Sequence, residues 1–435
     1  MKNIDVHCHL FNSEIASFRI LWDLALSIIH TRDFKTTNTI ERKGSAKEPA
    51  NKLKLLFLLF QKSSAVLKYL EKYEPNTIFA PLMFDLKYAA ESSEAQATIK
   101  ELVQTIQDEI NSMQNEKSLE SNNFTLSKDP ILDDKIDFYK TIIKNTSRNY
   151  DLDSNKEKAF GFFSFKKDTF DDQYNQLVQL KLNNPHTIMP FIAVDPRRPD
   201  IYERMVTAIE RDGFCGVKLY CPNGYSPLDP RLENVYKYCI EHQIPITAHC
   251  SYGGVATAEN SLDIKGAYFH NGKIEYGNKH IQFKMKLTGV DGIEERAYAL
   301  NHPALWNEVL EKNKGLILNL AHMGARTTND MNLRYEWTYL IVLMMQKYET
   351  LYTDVSCRTD KETLQKLWEI ANEGDKNCEF SLKVTDRVMF GTDFWLSMLS
   401  ENLQTHLSNF DEVFQNDSNT LQRLKQINPA RFLKL

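Results

Sequence analysis

Glycine is scarce in the first third of the chain: of 16 glycines only Gly44 precedes Gly161. Together with the periodicity of Asn51 to Tyr73 and Ser92 to Met113, that scarcity points to helices there. Cysteine is sparse and unpatterned. The seven thiols, Cys8, Cys215, Cys221, Cys239, Cys250, Cys357 and Cys378, form no Cys-x-x-Cys pair and no finger-like spacing, which fits reduced thiols in a cytoplasm. Long apolar runs are missing too. The longest, Leu55 to Phe60, falls far short of the roughly 20 residues that cross a bilayer, so no membrane span is expected. The first residues lack the charged and apolar regions of a secretory leader, and export is not expected. Basic excess is absent as well: 53 Lys and Arg against 58 Asp and Glu give a net charge of -5 and no field for nucleic acid or anionic lipid.

What is present is an enzyme-sized globular chain. At 435 residues, with ordinary apolar and charged fractions, it holds either two domains or one elaborated barrel. Eight short apolar runs end in polar or chemically versatile residues: Ile4 to His9, Thr77 to Asp85, Thr187 to Asp195, Phe214 to Tyr220, Pro245 to His249, Leu316 to His322, Leu351 to Asp354 and Arg387 to Asp393. Such runs read as strands buried on both faces. Between them lie amphipathic segments, Pro199 to Arg211 with Ile201, Met205, Val206 and Ile209 on one face, and Arg231 to His242 with Leu232, Val235, Tyr236, Cys239 and Ile240. Eightfold strand and helix alternation predicts an α/β fold, a (β/α)8 TIM barrel spanning 1–435, with right-handed crossovers. The first two gaps are long, about 70 and about 100 residues where a bare βα unit needs ~30, so helical insertions are expected at 12–76 and 86–186, long enough to cap the barrel mouth. Asn115 to Lys158 is rich in Asn, Ser, Lys, Asp and Glu, a composition that favours mobility over packing.

His7 and His9 flank Cys8 at the end of the first run, and the period of two puts both imidazoles on one side. Alone the pair means little, because 11 histidines in this chain give about 0.3 such pairs by chance. Its setting changes that. His249, His322 and Asp393 each end an apolar run directly, and a (β/α)8 barrel gathers the carboxyl ends of all strands on one face. Four imidazoles and a carboxylate meeting there suit zinc, and also iron or manganese. The bland alternatives are backbone-satisfied histidines, an Asp393 that caps the next helix, and a Lys218 in an ordinary ion pair. Cys8 and Cys250 adjoin the site in sequence but alternate away from it.

The ordered segments Asp5-Val6-His7-Cys8-His9-Leu10-Phe11, Gly216-Val217-Lys218-Leu219-Tyr220, Thr247-Ala248-His249, Leu320-Ala321-His322-Met323-Gly324 and Phe390-Gly391-Thr392-Asp393-Phe394 resemble the amidohydrolase superfamily. The closer likeness is to its branch of aminocarboxymuconate-semialdehyde decarboxylase-like enzymes, running from the first strand to Asn428-Pro429-Ala430-Arg431-Phe432-Leu433 but not over the insertions. The resemblance implies His7, His9, His249 and Asp393 as metal ligands, with Asp393 also taking a proton. It places His322 as a non-ligand or second-metal histidine, and Lys218 where binuclear members carry a carboxylated lysine. Because the branch is largely mononuclear, one ion is expected, zinc first, with manganese or iron as the other candidates.

The expected activity is that of a metal-dependent hydrolase of a C-N or C-O acyl bond, with Asp393 and His322 as catalytic residues. The alternatives are a non-oxidative decarboxylase of the same branch and an inactive binding barrel. Lys218, Arg326 and Trp395 stand at or just past strand ends, where substrate is gripped, and an arginine there can hold a carboxylate bidentately. The expected partner is a small-molecule substrate, with no nucleic acid and no membrane; a homo-oligomer is left open.

Overall fold

The computed structural model describes residues 2–10, 62–85, 87–90, 168–257, 259–285, 290–326, 328, 330–394, 396–399, 402–415 and 417–435, with a few isolated positions. Twelve strands lie among the described residues. In chain order they are β1 (Asn3–Cys8), β2 (Thr77–Pro81), β3 (Phe191–Ala193), β4 (Gly216–Leu219), β5 (Ile246–Ala248), β6 (Ser261–Ile264), β7 (Ala267–His270), β8 (Lys273–Tyr276), β9 (Lys279–Gln282), β10 (Leu318–Leu320), β11 (Leu351–Asp354) and β12 (Val388–Met389). Eight of them build the expected parallel barrel. Six run in the order β3-β4-β5-β10-β11-β12, and β1 pairs with β2 in parallel. The cylinder closes through Phe79 beside Ile188 and Leu82 beside Phe191 on one side of that pair, and Cys8 beside Phe394 on the other. Backbone bonds reinforce the second seam, from Val6 N to Phe390 O (3.3 Å) and from Asp393 N to His7 O (2.7 Å).

The crossover helices follow from their apolar stripes. Ile201–Glu210 buries Ile201, Met205 and Ala208, with Val206 and Ile209 packed half-buried on the same core. Glu233–Glu241 buries Val235, Tyr236, Tyr238 and Cys239. Side-chain acceptors cap later helices: Asp360 takes the Thr363 amide and Asn402 the Thr405 amide. The closing helix Asn428–Leu433 sends Phe432 against Phe191 and Tyr352, with ring centroids 6.2 and 5.3 Å away. No helix among the described residues is long and apolar enough to cross a membrane.

The long segment after β5 holds structure that its sequence did not lead us to expect. Two antiparallel ribbons form there, β6 with β9 and β7 with β8. The inner turn is Asn271-Gly272, both at positive φ (47° and 76°), the backbone that a tight two-residue hairpin requires. Of the insertions expected at 12–76 and 86–186, the helices Ser63–Tyr73, Lys87–Ala90 and Phe170–Asn183 are described. Most of the remainder, including nearly all of Asn115 to Lys158, lies outside the described residues.

Gly216 marks how tightly the barrel is filled: a Cβ built on it would fall 2.2 Å from the ring of Phe191, itself fully buried. Gly216→Ala is expected to destabilise the fold by about 1–3 kcal/mol through overpacking, read as a lower denaturant midpoint at unchanged slope.

Candidate metal centre

Each candidate side chain is delivered by the end of a strand. β1 alternates Asp5, His7 and, just beyond it, His9 with Ile4, Val6 and Cys8, and all six are buried. His7 seats against Gly391, where a Cβ would come within 2.7 Å of the His7 Cβ, so the strand carrying Asp393 can approach only without a side chain at that position. Two site residues hold left-handed backbone, His322 at φ 67° and Asp393 at φ 50°. Conformations of this kind cost of order 1–3 kcal/mol each for such residues and concentrate where surrounding contacts over-determine them. Those contacts are present. The carboxylate of Asp5 accepts from the Thr392 amide (3.0 Å), the Thr392 hydroxyl (2.6 Å) and the His7 amide (3.1 Å), pinning β1 to the turn that aims Asp393.

The donors converge as follows. Asp393 Oδ1 lies 3.4 Å from His7 Nε2 and 3.3 Å from His9 Nε2. His7, His322 and Asp393 offer one ligand atom each, all within 4.8 Å of one another. His249 stands one ring further, its Nδ1 3.1 Å from His322 Nε2. Lys218 is buried on β4. Among the described residues no ion pair or hydrogen bond engages its ammonium, which lies 5.9 Å from the Tyr220 ring centroid. Arg326 is placed differently from a free substrate clamp: its guanidinium fork grips Glu294, with Nε 2.9 Å from Oε1, and lies over the Tyr252 ring. Trp395 lies outside the described residues.

Protons on the outer ring nitrogens can be assigned from obligate acceptors. His9 Nδ1 faces the Leu82 carbonyl at 2.9 Å, and His249 Nε2 faces the Gly253 carbonyl at 2.9 Å. A carbonyl only accepts, so those nitrogens carry the ring hydrogens, and His9 Nε2 and His249 Nδ1 turn inward as lone-pair donors. Burial holds His9 below the usual histidine range, His249 well below it, and His322 down to about 3, so these rings stay neutral, the form that binds cations. Burial alone would raise the Asp393 carboxyl, yet the surrounding imidazoles, His7 foremost, hold it well below the usual range and ionised. Burial brings Lys218 down to about 8 against the pull of Asp393 and Asp354. The Cys8 thiol is pushed well above its ordinary value by burial, which makes it inert.

Asp393 Oδ1 decides what fits here. It is buried and, among the described residues, has no hydrogen bond of ordinary geometry, although two imidazole nitrogens lie close. Donors about 2 Å from one tetrahedral ion lie about 3.3 Å apart, which is the spacing found, so a divalent cation satisfies a group that is otherwise stranded.

The family described as Amidohydrolase matches residues 155–435, well over half of the chain. The chain belongs to the amidohydrolase family. No curated protein matches it. Among solved structures, this amidohydrolase is similar to 5-carboxyvanillate decarboxylase from Sphingomonas paucimobilis (8% identity, 100% of this chain and 99% of that one, TM-score 0.47). It is also similar to the manganese-bound 5-carboxyvanillate decarboxylase from Novosphingobium aromaticivorans (11%, 100% and 97%, 0.46) and to 2,6-dihydroxybenzoate decarboxylase (11%, 100% and 100%, 0.46). Membership makes the amidohydrolase a metal-dependent enzyme. The match leaves out β1, and it is the barrel's closure that carries His7 and His9 to the matched part.

Two residues of the centre went unnoticed in the sequence: Asp354, at the end of β11, and Ser356, just after it. Asp354 Oδ2 is 3.2 Å from His7 Nδ1, and Ser356 Oγ is 2.9 Å from His322 Nδ1. Asp354 ends an apolar run just as His322 and Asp393 do, so the same signal marked it.

Stripping divalent ions with a chelator is expected to lower the melting temperature, and zinc added back to restore it. A ligand at a hundred times its Kd adds about 2.7 kcal/mol to the folded state. Differential scanning calorimetry of treated and refilled protein measures this.

Proposed function

We propose that this amidohydrolase hydrolyses a C-N or C-O acyl bond of a small molecule at one divalent ion, zinc in the first instance, held by His7, His9, His249 and Asp393. The observation that supports it most is the stranded, buried Asp393 Oδ1 between two imidazole nitrogens. When bound, the ion supplies Lewis acidity, polarising a substrate carbonyl and bringing the pKa of coordinated water to about 7. The chain's own groups do the rest. Asp393, kept ionised by its imidazole neighbours, takes a proton from the attacking water. His322, neutral and hydrogen-bonded through Nδ1 on its outer edge, offers the Nε2 lone pair through which the proton taken by Asp393 passes on to the leaving group. Lys218, buried and within electrostatic reach of Asp393 and Asp354, supplies a cation for a developing oxyanion or an anionic substituent.

Lys218 also favours a second reading, loss of carbon dioxide from a carboxylic acid at the same centre. A buried ammonium with no acid in ion-pair range among the described residues suits a substrate carboxylate. Seven free cysteines support a reducing, cytoplasmic working compartment.

A screen of amides, lactones and aromatic carboxylic acids separates the two chemistries, since hydrolysis incorporates oxygen from labelled water and decarboxylation releases carbon dioxide. His7→Ala, His249→Ala and Asp393→Ala are each expected to abolish turnover of the substrate found, while circular dichroism shows an intact barrel. Full activity in any of them overturns the proposal.

A further inference from the structure

The geometry points to Asp354 and Ser356 as a positioning pair that fixes the ring hydrogens of both His7 and His322 on Nδ1, so that both Nε2 atoms face the cation cradle. The inference rests on the functional reading above but deepens it with two residues outside the ligand set.

Asp354 is fully buried, and the three amide groups around it can only donate to it. Its Oδ1 accepts from the backbone amides of His322 and Ser356, each at 3.1 Å, and its Oδ2 from the Asn319 side-chain amide at 2.7 Å. A carboxyl group so placed is an acceptor on both oxygens. The Ser356 hydroxyl donates its one hydrogen to Asp354 Oδ1. It is left with two lone pairs, and two ring nitrogens stand opposite them, His322 Nδ1 at 2.9 Å and His7 Nδ1 at 3.1 Å. With the hydroxyl hydrogen already committed, both rings are the donors on this edge, and the lone pairs of His322 Nε2 and His249 Nδ1, 3.1 Å apart, then face the same cation cradle. His7 has a second acceptor in Asp354 Oδ2 at 3.2 Å, and His322 a second one in the Ser356 carbonyl at 3.3 Å. Every hydrogen and lone pair of the Ser356 hydroxyl is thereby assigned, and one side chain sets two tautomers. Removing a partner of this kind typically costs 10–100-fold in metal affinity, because the imidazole loses its orientation and its ring hydrogen can move to the nitrogen that should bind.

The test uses the full-length protein labelled with 15N-histidine, together with Ser356→Ala and Asp354→Asn. In the metal-free wild type, ring nitrogen spectra are expected to show His7 and His322 protonated on Nδ1. Zinc titration against a chromophoric chelator is expected to give a Kd raised 10–100-fold in each variant. Ring hydrogens shifting toward Nε2 should accompany the loss, on His322 in Ser356→Ala and on His7 in Asp354→Asn, a change that a merely structural role would not produce. Ser356→Ala deletes a single hydroxyl and keeps the test decisive if Asp354→Asn does not fold. Wild-type zinc affinity with unchanged tautomers in Ser356→Ala, or Nε2-protonated rings in the wild type, overturns the inference. A wild type that binds no divalent ion overturns the functional reading instead, while the nitrogen spectra still decide the tautomers.

Discussion

A buried, ionised carboxylate oxygen with no well-formed hydrogen bond among the described residues is the constraint on which this protein turns. Asp393 Oδ1 stands against the nitrogens of His7 and His9, and the rings whose outer edges face carbonyls direct lone pairs inward. Lone pairs gathered in a dry interior repel one another unless a positive charge sits among them. A divalent ion supplies that charge, and with it an electrophile at this place. Fold, donor set and chemistry are thus linked through a single unmet acceptor.

Holding such a cluster together takes scaffolding that never touches a ligand. Asp5 ties β1 to the Thr392 turn, Asp354 ties β11 to the turn carrying His322, and Gly391 lets the last strand lie close to His7. Left-handed backbone at His322 and Asp393 is the cost of bending the chain sharply at strand ends so that side chains point over the mouth. Barrels suit this arrangement because the strands themselves are rigid, while the turns after them are free to vary.

Much of this was legible in the linear chain. All eight barrel strands coincide with apolar runs picked out beforehand, since a strand buried on both faces leaves a mark that needs no partner to be recognised. The ribbons β6 to β9 left a weaker mark. They alternate and are half exposed, and their best signal, Asn271-Gly272, is two residues long. Asp354 was passed over because a strand-ending aspartate has many structural uses, as Asp85 and Asp195 show by pairing with Arg198 and Arg197. Arg326 drew attention by its position after β10, but its side chain meets Glu294, 32 residues earlier in a segment whose course no local pattern gives.

By itself the sequence determined the alternation of buried strands and amphipathic helices, and with it the barrel and the handful of polar residues that terminate strands. Those follow from periodicity and burial, which are local properties of the chain. Only the tertiary structure decided which nitrogens face which acceptors, that His322 joins His7 and Asp393 in one cluster of possible ligands, and that one serine hydroxyl serves two rings. Hydrogen-bond direction depends on three-dimensional neighbours hundreds of residues apart, and nothing in the order of amino acids specifies it until the cylinder closes.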